Sequence, residues 1–298
     1  MNDSAPLLEV RDLSKRFGSV VALRSATLTL SRGEIHALMG ANGAGKSTLL
    51  NLVVGLARPS SGDLAVLGGL PAGSPGALDA IAYVAQDTPL YRNLSAADAI
   101  HLTRNLNHAF DTAYAERRLE DLGIDPRRKA GDLSGGQRSQ LALTLALARR
   151  PRLLVLDEPT EALDPVARHD FMATVMTAMA DDGVTVLLSS HVLSELERVA
   201  DHLVLIARGR VRLDGPVEDL LASHRFVTGG RDAAMDPQWR PVQAAAAAAQ
   251  QNLLVAIDPG RALPPGWQDR SVTLEELAMA YLRESALVRS EPALEPVR

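Results

Sequence analysis

Cysteine is absent from the 298-residue chain, which excludes disulfides, thiolate zinc ligation and a cysteine nucleophile. Lysine is nearly absent too. Only Lys15, Lys46 and Lys129 occur among 31 basic residues, so each retained lysine stands out. No apolar run approaches the roughly 18 residues that span a bilayer. The longest, Leu141 to Ala148 and the alanine tract Ala244 to Ala249, are far shorter. The first ten residues, MNDSAPLLEV, lack a basic stretch followed by an apolar one, so no signal peptide is read there. Excess positive charge is missing as well: 31 Lys and Arg stand against 36 Asp and Glu, a net charge of −5. That balance argues against a protein that coats nucleic acid. The expectation is an intracellular protein that reaches a membrane only through a partner.

What is present alternates between strand and helix. Leu7–Leu13 and Val20–Leu30 read as strands of a partly exposed antiparallel sheet. Ile35–Met39 is a short apolar strand that runs into a glycine-rich turn, and Lys46–Leu56 follows as a helix. Leu153–Leu156 and Val184–Leu188 are continuous apolar runs, the pattern of strands buried on both faces of a parallel sheet. Pro165–Ala180 between them has helical length and starts with proline, as an α/β core requires. Ser95–Ala109 and Asp111–Leu122 are helical with no strand between, and predict a helical subdomain over about residues 92–150. The sequence divides at about residue 225. Beyond it, prolines punctuate short elements (Pro237, Pro241, Pro259, Pro264 and Pro265) up to a final helix, Thr273–Glu284. The alanine tract reads as helix or linker, and the tail from Ser285 as disordered.

The segment Gly40-Ala41-Asn42-Gly43-Ala44-Gly45-Lys46-Ser47, followed by Thr48, matches the phosphate-loop pattern GxxxxGK[ST] between a strand and a helix. Glycines let several backbone N–H groups approach a phosphate, and the helix N-terminus adds its positive dipole end. Lys46 would reach the β- and γ-phosphates, and the Ser47 hydroxyl would ligate Mg²⁺. Leu153-Leu-Val-Leu-Asp157-Glu158-Pro159 is a buried strand that delivers two carboxylates to the edge of a sheet where ligands bind. There Asp157 would hold Mg²⁺ through water and Glu158 would orient or deprotonate an attacking water. Leu133-Ser134-Gly135-Gly136-Gln137 opens a further helix, Arg138–Arg149, as a second anion site. One chain with one phosphate loop does not need two such sites, unless the second serves a nucleotide on another subunit.

With these three segments together the sequence resembles the ATP-binding cassette (ABC) family over roughly residues 7–224. LSGGQ is that family's signature, and GANGAGKST and LLVLDEP are its Walker A and Walker B segments. Gln86 in YVAQD matches the Q-loop glutamine, Ala162-Leu163-Asp164 the D-loop and His191 the switch histidine. Phe17 stands where relatives usually stack a tyrosine on adenine; its ring face can serve equally. The resemblance implies a P-loop ABC ATPase cassette, with a RecA-like core, an antiparallel β subdomain and the inserted helical subdomain. It further implies that two subunits sandwich two ATP molecules head to tail. Each ATP would lie between Lys46, Ser47, Asp157 and Glu158 of one copy and Ser134–Gln137 of the other. Glu158 would be the catalytic base, and His191 would hold the γ-phosphate and attacking water. Gln86 would sense Mg²⁺ and relay to the helical subdomain.

A single cassette without a membrane span implies a separate multi-span permease subunit and a second ATP-binding subunit, identical or a close paralogue. Localisation follows: cytoplasmic, peripheral on the inner face of the membrane. Tyr91–Ala99 is where relatives receive the membrane partner, though it also reads as a packed loop. The C-terminal pattern from Val272 to Leu282 is similar to ATPase subunits of multidrug and antibiotic-type exporters, and export is read over import. A soluble ABC ATPase acting on ribosomes or DNA is the rival. It is disfavoured because only 48 positions separate Gln86 from Ser134, too few for a long coiled coil, and because the charge is acidic. No catalytic motif lies in residues 226–298. The remaining histidines (His36, His101, His108, His169, His202 and His224) show no metal-ligand spacing and read as structural or solvated. Arg127-Arg128-Lys129 reads as a solvated loop.

Overall fold

The computed structural model describes residues 5–87, 90–231, 233–246 and 250–287. An antiparallel sheet joins β1 (Leu8–Phe17), β2 (Val20–Leu30), β4 (Ser61–Val66) and β5 (Leu70–Pro71) in the order β2-β1-β4-β5. The central sheet holds β3 (Ile35–Met39), β6 (Ile81–Val84), β7 (Leu153–Asp157), β8 (Thr185–Ser190), β9 (His202–Ala207) and β10 (Arg210–Pro216). Their order is β10-β9-β3-β8-β7-β6, and all run parallel except β10. Strands β3, β7, β8 and β9 are buried along their whole length, which is why they read as unbroken apolar runs.

Alternate residues of these strands feed two different cores. Ala37, Leu154, Leu156 and Val186 point into one, with Leu143, Phe171 and Val175 from the helices α5 (Gly135–Ala148) and α6 (Pro165–Asp182). Leu38, Leu153, Val155 and Leu187 point into the other, against the antiparallel sheet and α1 (Lys46–Val53). Phe171 is wholly buried; truncating such a side chain to alanine costs about 3–5 kcal/mol. The short α2 (Pro75–Ala80), α7 (Leu193–Leu196) and α8 (Val217–Ala222) complete the connections.

Between β6 and β7 the chain makes the helical insertion: α3 (Ala96–Leu106), α4 (Thr112–Asp121) and the start of α5. Ser95 caps α3 in a reciprocal box with Asp98, and Asp111 caps α4. Ala96, Ile100, Leu119, Leu141 and Leu145 form this insertion's own small core.

The C-terminal segment is a second antiparallel sheet of β11 (His224–Gly230), β12 (Arg240–Ala246), β13 (Gln250–Ala256) and β14 (Trp267–Ser271), ordered β12-β13-β11-β14. Trp239 and Trp267 meet edge to face at 4.8 Å inside it. Alanines 244–246, expected in a helix or linker, are strand residues paired with Leu253, Asn252 and Gln251. Cross-strand pairing overrides the helix preference of alanine, which is a weak prior; residues 247–249 lie outside the described chain. The last helix, α9 (Leu274–Leu287), starts at a Thr273–Glu276 capping box. It runs past the expected end at Glu284, and the expected disordered tail beyond Leu287 lies outside the described residues. Leu274, Leu277 and Ala278 of α9 share a core with Leu203 and Leu205 of β9. The C-terminal segment is therefore anchored on the central sheet.

Candidate nucleotide site

The turn after β3 leaves no space for a side chain at Gly40 or Gly45. A Cβ on Gly40 would stand 2.4 Å from the Ile206 carbonyl oxygen, and one on Gly45 would stand 2.7 Å from that of Ala22. Gly45 also has φ +115°, a left-handed conformation that favours glycine. Gly45 is the N-cap of α1 and offers no side-chain acceptor, so the helix begins with its amide groups uncapped by any side chain. Ala44 closes the turn below them, its N–H donating to the Ala41 carbonyl at 3.0 Å. Over this turn opens a cavity of about 380 Å³. Asn42, Gly43, Gly45, Lys46, Ser47, Thr48, Gln86 and Glu158 line it, all expected from the sequence.

A chain of contacts links three loops here, from buried Lys46 and Glu158 out to exposed His191. The Lys46 ammonium donates to the Gly40 carbonyl oxygen at 2.7 Å and pairs with Glu158 Oε1 at 3.0 Å. Glu158 Oε2 lies 2.5 Å from His191 Nδ1. Burial pushes the Glu158 carboxyl up, but the Lys46 contact and the His191 hydrogen bond outweigh it and hold the group below its ordinary range. Glu158 is thus ionised, with a donor on each oxygen. Its backbone sits at φ +46°, and its N–H donates to Ser189 Oγ at 2.9 Å.

Asp157, also buried, accepts from the same Ser189 hydroxyl at 2.6 Å and from the Tyr83 hydroxyl. Tyr83 is pushed up to about 12, first by burial and then by the Asp157 charge. Its proton stays on the phenol, which donates to Asp157. The Ser47 hydroxyl, the Asp157 carboxylate and the Gln86 amide supply a set of oxygen donors, and these are the ligands Mg²⁺ prefers. The residues fit that ion.

The remaining candidates lie off the cavity. Ser134 caps α5 by accepting from the Gln137 N–H at 3.1 Å, while the Gln137 side chain accepts from the Ser134 N–H at 3.2 Å. Gly136 permits close packing on α6: a Cβ there would reach the Ala167 Cβ at 3.1 Å. Asp164 caps α6, accepting from the Val166 and Ala167 N–H groups. Phe17 is exposed, and the Lys15 ammonium lies 4.8 Å from the centre of its ring. Phe17, Gly40, Ala44, Ser134–Gln137, Asp157, Asp164 and His191 are not among the residues that line the cavity.

Sequence reasoning missed Tyr83, Ser189 and the cavity wall Val20–Ala22. Ser189 carried a faint signal, a polar residue ending an apolar strand. The wall carried none, because tertiary packing alone brings β2 to the phosphate turn. His36 and His202, which show no metal-ligand spacing along the chain, are register partners on β3 and β9 with ring centres 5.0 Å apart, and Glu34 lies beside them. Spacing along the chain cannot reveal neighbours on parallel strands 166 residues apart. Burial drives the His36 pKa down to about 4, so it is neutral at physiological pH.

The sequence pattern of the family described as "ABC transporter" matches residues 23–161. The thiamine import ATP-binding protein ThiQ of Shigella flexneri serotype 5b (strain 8401) is 37% identical over 201 residues, 66% of this chain and 87% of that protein. The lantibiotic transport ATP-binding protein SrtF of Streptococcus pyogenes is 32% identical over 209 residues, 70% of this chain and 90% of that protein. A solved structure described as an ATP binding subunit of an ABC transporter superposes with a TM-score of 0.65 at 32% identity. It covers 72% of this chain and 91% of its own.

Proposed function

Because the chain belongs to the ABC transporter family as an ATP-binding, ATP-hydrolysing subunit, we propose that it pairs head to tail with a second cassette and powers a separate multi-span membrane subunit. The chain of contacts Lys46–Glu158–His191 at the phosphate-loop cavity carries this reading. The uncapped amides of α1 and the Lys46 ammonium bind the β- and γ-phosphates. Lys46 then exchanges a carboxylate for phosphate oxygens, and Glu158 Oε1 becomes free to accept a proton from the attacking water. His191 keeps hold of the other carboxylate oxygen and orients Glu158. Ser47, Asp157 and Gln86 would hold Mg²⁺, which neutralises phosphate charge when bound. Ser134–Gln137 of the partner cassette close the site from the opposite side, Asp164 lies at that junction, and Phe17 offers a ring face to adenine.

In this reading the protein sits at the cytoplasmic face of a membrane, and Tyr91–Ala99 receives the membrane subunit. The Val272–Leu282 pattern favours export of a drug- or antibiotic-like compound, in line with the lantibiotic transport relative. Import is the second reading, supported by the identity to the thiamine import protein. Glu158→Gln should bind ATP, hydrolyse it at least about a hundredfold more slowly and accumulate as a dimer on a sizing column. Captured from gently solubilised cells with ATP and Mg²⁺, it should bring down a multi-span membrane protein. Hydrolysis at the parent rate would place the base elsewhere, and capture of ribosomal proteins without a membrane partner would overturn the transporter assignment.

A further inference from the structure

Glu161 lies on the loop between β7 and α6, three residues before Asp164, and is exposed. Its carboxylate accepts from Gln86 Nε2 at 2.6 Å across 75 positions of sequence. Its own N–H donates to the Glu158 carbonyl at 3.3 Å, and the acid groups of Glu158 and Glu161 and the His191 ring gather within 4.8 Å of one another. An ionised carboxylate accepts hydrogen bonds and donates none, whereas an amide presents nitrogen on one side and oxygen on the other. The contact therefore fixes which way the Gln86 amide faces: nitrogen towards Glu161 and oxygen away from it. Oxygen is the atom a divalent cation takes. Gln86 lines the cavity that also holds Ser47.

We propose that Glu161 is a positioning residue that orients the Gln86 amide so that its oxygen is presented to the divalent cation bound with ATP. The inference rests on the ATP-binding reading and deepens it. It also ties the loop entering the helical insertion to the loop that leads into α6, within one subunit. Glu161 acts through Gln86, and its charge alone is not the working element.

The test measures Mn²⁺ affinity by electron paramagnetic resonance, with the full-length protein holding a non-hydrolysable ATP analogue. Glu161→Ala should weaken Mn²⁺ binding about tenfold, the scale of losing an outer-shell partner of a metal ligand. Affinity for a fluorescent ATP measured without metal should stay the same, showing that the loop is folded. Glu161→Gln, whose amide can present either atom, should fall between parent and Glu161→Ala. In a Gln86→Ala background, Glu161→Ala should cost nothing further. An equal loss in both backgrounds would mean that the carboxylate attracts the cation directly, and would overturn the positioning role. So would unchanged Mn²⁺ affinity in the single variant, provided that Gln86→Ala itself weakens it. A parent protein that binds no nucleotide with or without metal would overturn the ATP-binding reading together with this one.

Discussion

Gly40–Ser47 and Ser134–Gln137 both lead glycine-rich chain into a helix, α1 and α5, and they differ in what meets the first amide groups. At α1 the cap is a left-handed glycine with no side-chain bond, and no side chain caps the first amides. At α5 a serine and a glutamine cap each other reciprocally, so the Ser134 and Gln137 amides already have partners in their own chain. A lysine buried beside a glutamate stands over the first, while the second is not among the residues that line the cavity there. In the proposed reading the first segment is the anion site within one subunit. The second is a capped helix end where Gly136 packs closely on α6, and in the same reading it faces a nucleotide held by another copy.

Three substitutions probe that contrast. The largest effect is expected at Lys46→Ala, which should lower ATP affinity at least about a hundredfold in an equilibrium titration, since it removes a charge-assisted contact to phosphate. Unchanged affinity would mean that the first segment is not a phosphate site. Gly45→Ala should cost about 2 kcal/mol in urea unfolding, because alanine resists the left-handed backbone and its Cβ crowds the Ala22 carbonyl. An unfolding midpoint equal to the parent's would show that the turn does not need glycine there. The smallest effect on stability belongs to Ser134→Ala, about 1 kcal/mol for a lost cap. That variant should bind ATP as a single subunit like the parent and yet hydrolyse it more slowly at concentrations that favour pairing. Weaker binding by the isolated subunit would make both segments parts of one site in one chain.

Much of this site is legible in the sequence because it is built from local rules. A phosphate turn needs glycines at fixed offsets, a lysine and a hydroxyl just inside the following helix; all occur within Gly40–Thr48. The carboxylate pair Asp157–Glu158 is equally local, ending a strand whose five residues are all buried. The capping boxes at Ser95, Ser134 and Thr273 follow the same logic, with partners three residues apart. Other features defeat such reading. Ser189 and Tyr83 hold Asp157 from neighbouring strands, and Glu161 holds Gln86 from a loop 75 positions away. The alanine strand is set by its pairing partners, and the histidine pair by the register of β3 on β9.

The sequence by itself determined the strand and helix periods, the phosphate turn, the acidic strand end and the helix caps, since each depends on residues a few positions apart. Only the tertiary structure decided which strands lie side by side. It thereby set which donors orient Asp157, why Glu158 stays ionised between Lys46 and His191, and that α9 returns to the central sheet. Those are consequences of burial and of non-local pairing, and one-dimensional spacing carries no record of either.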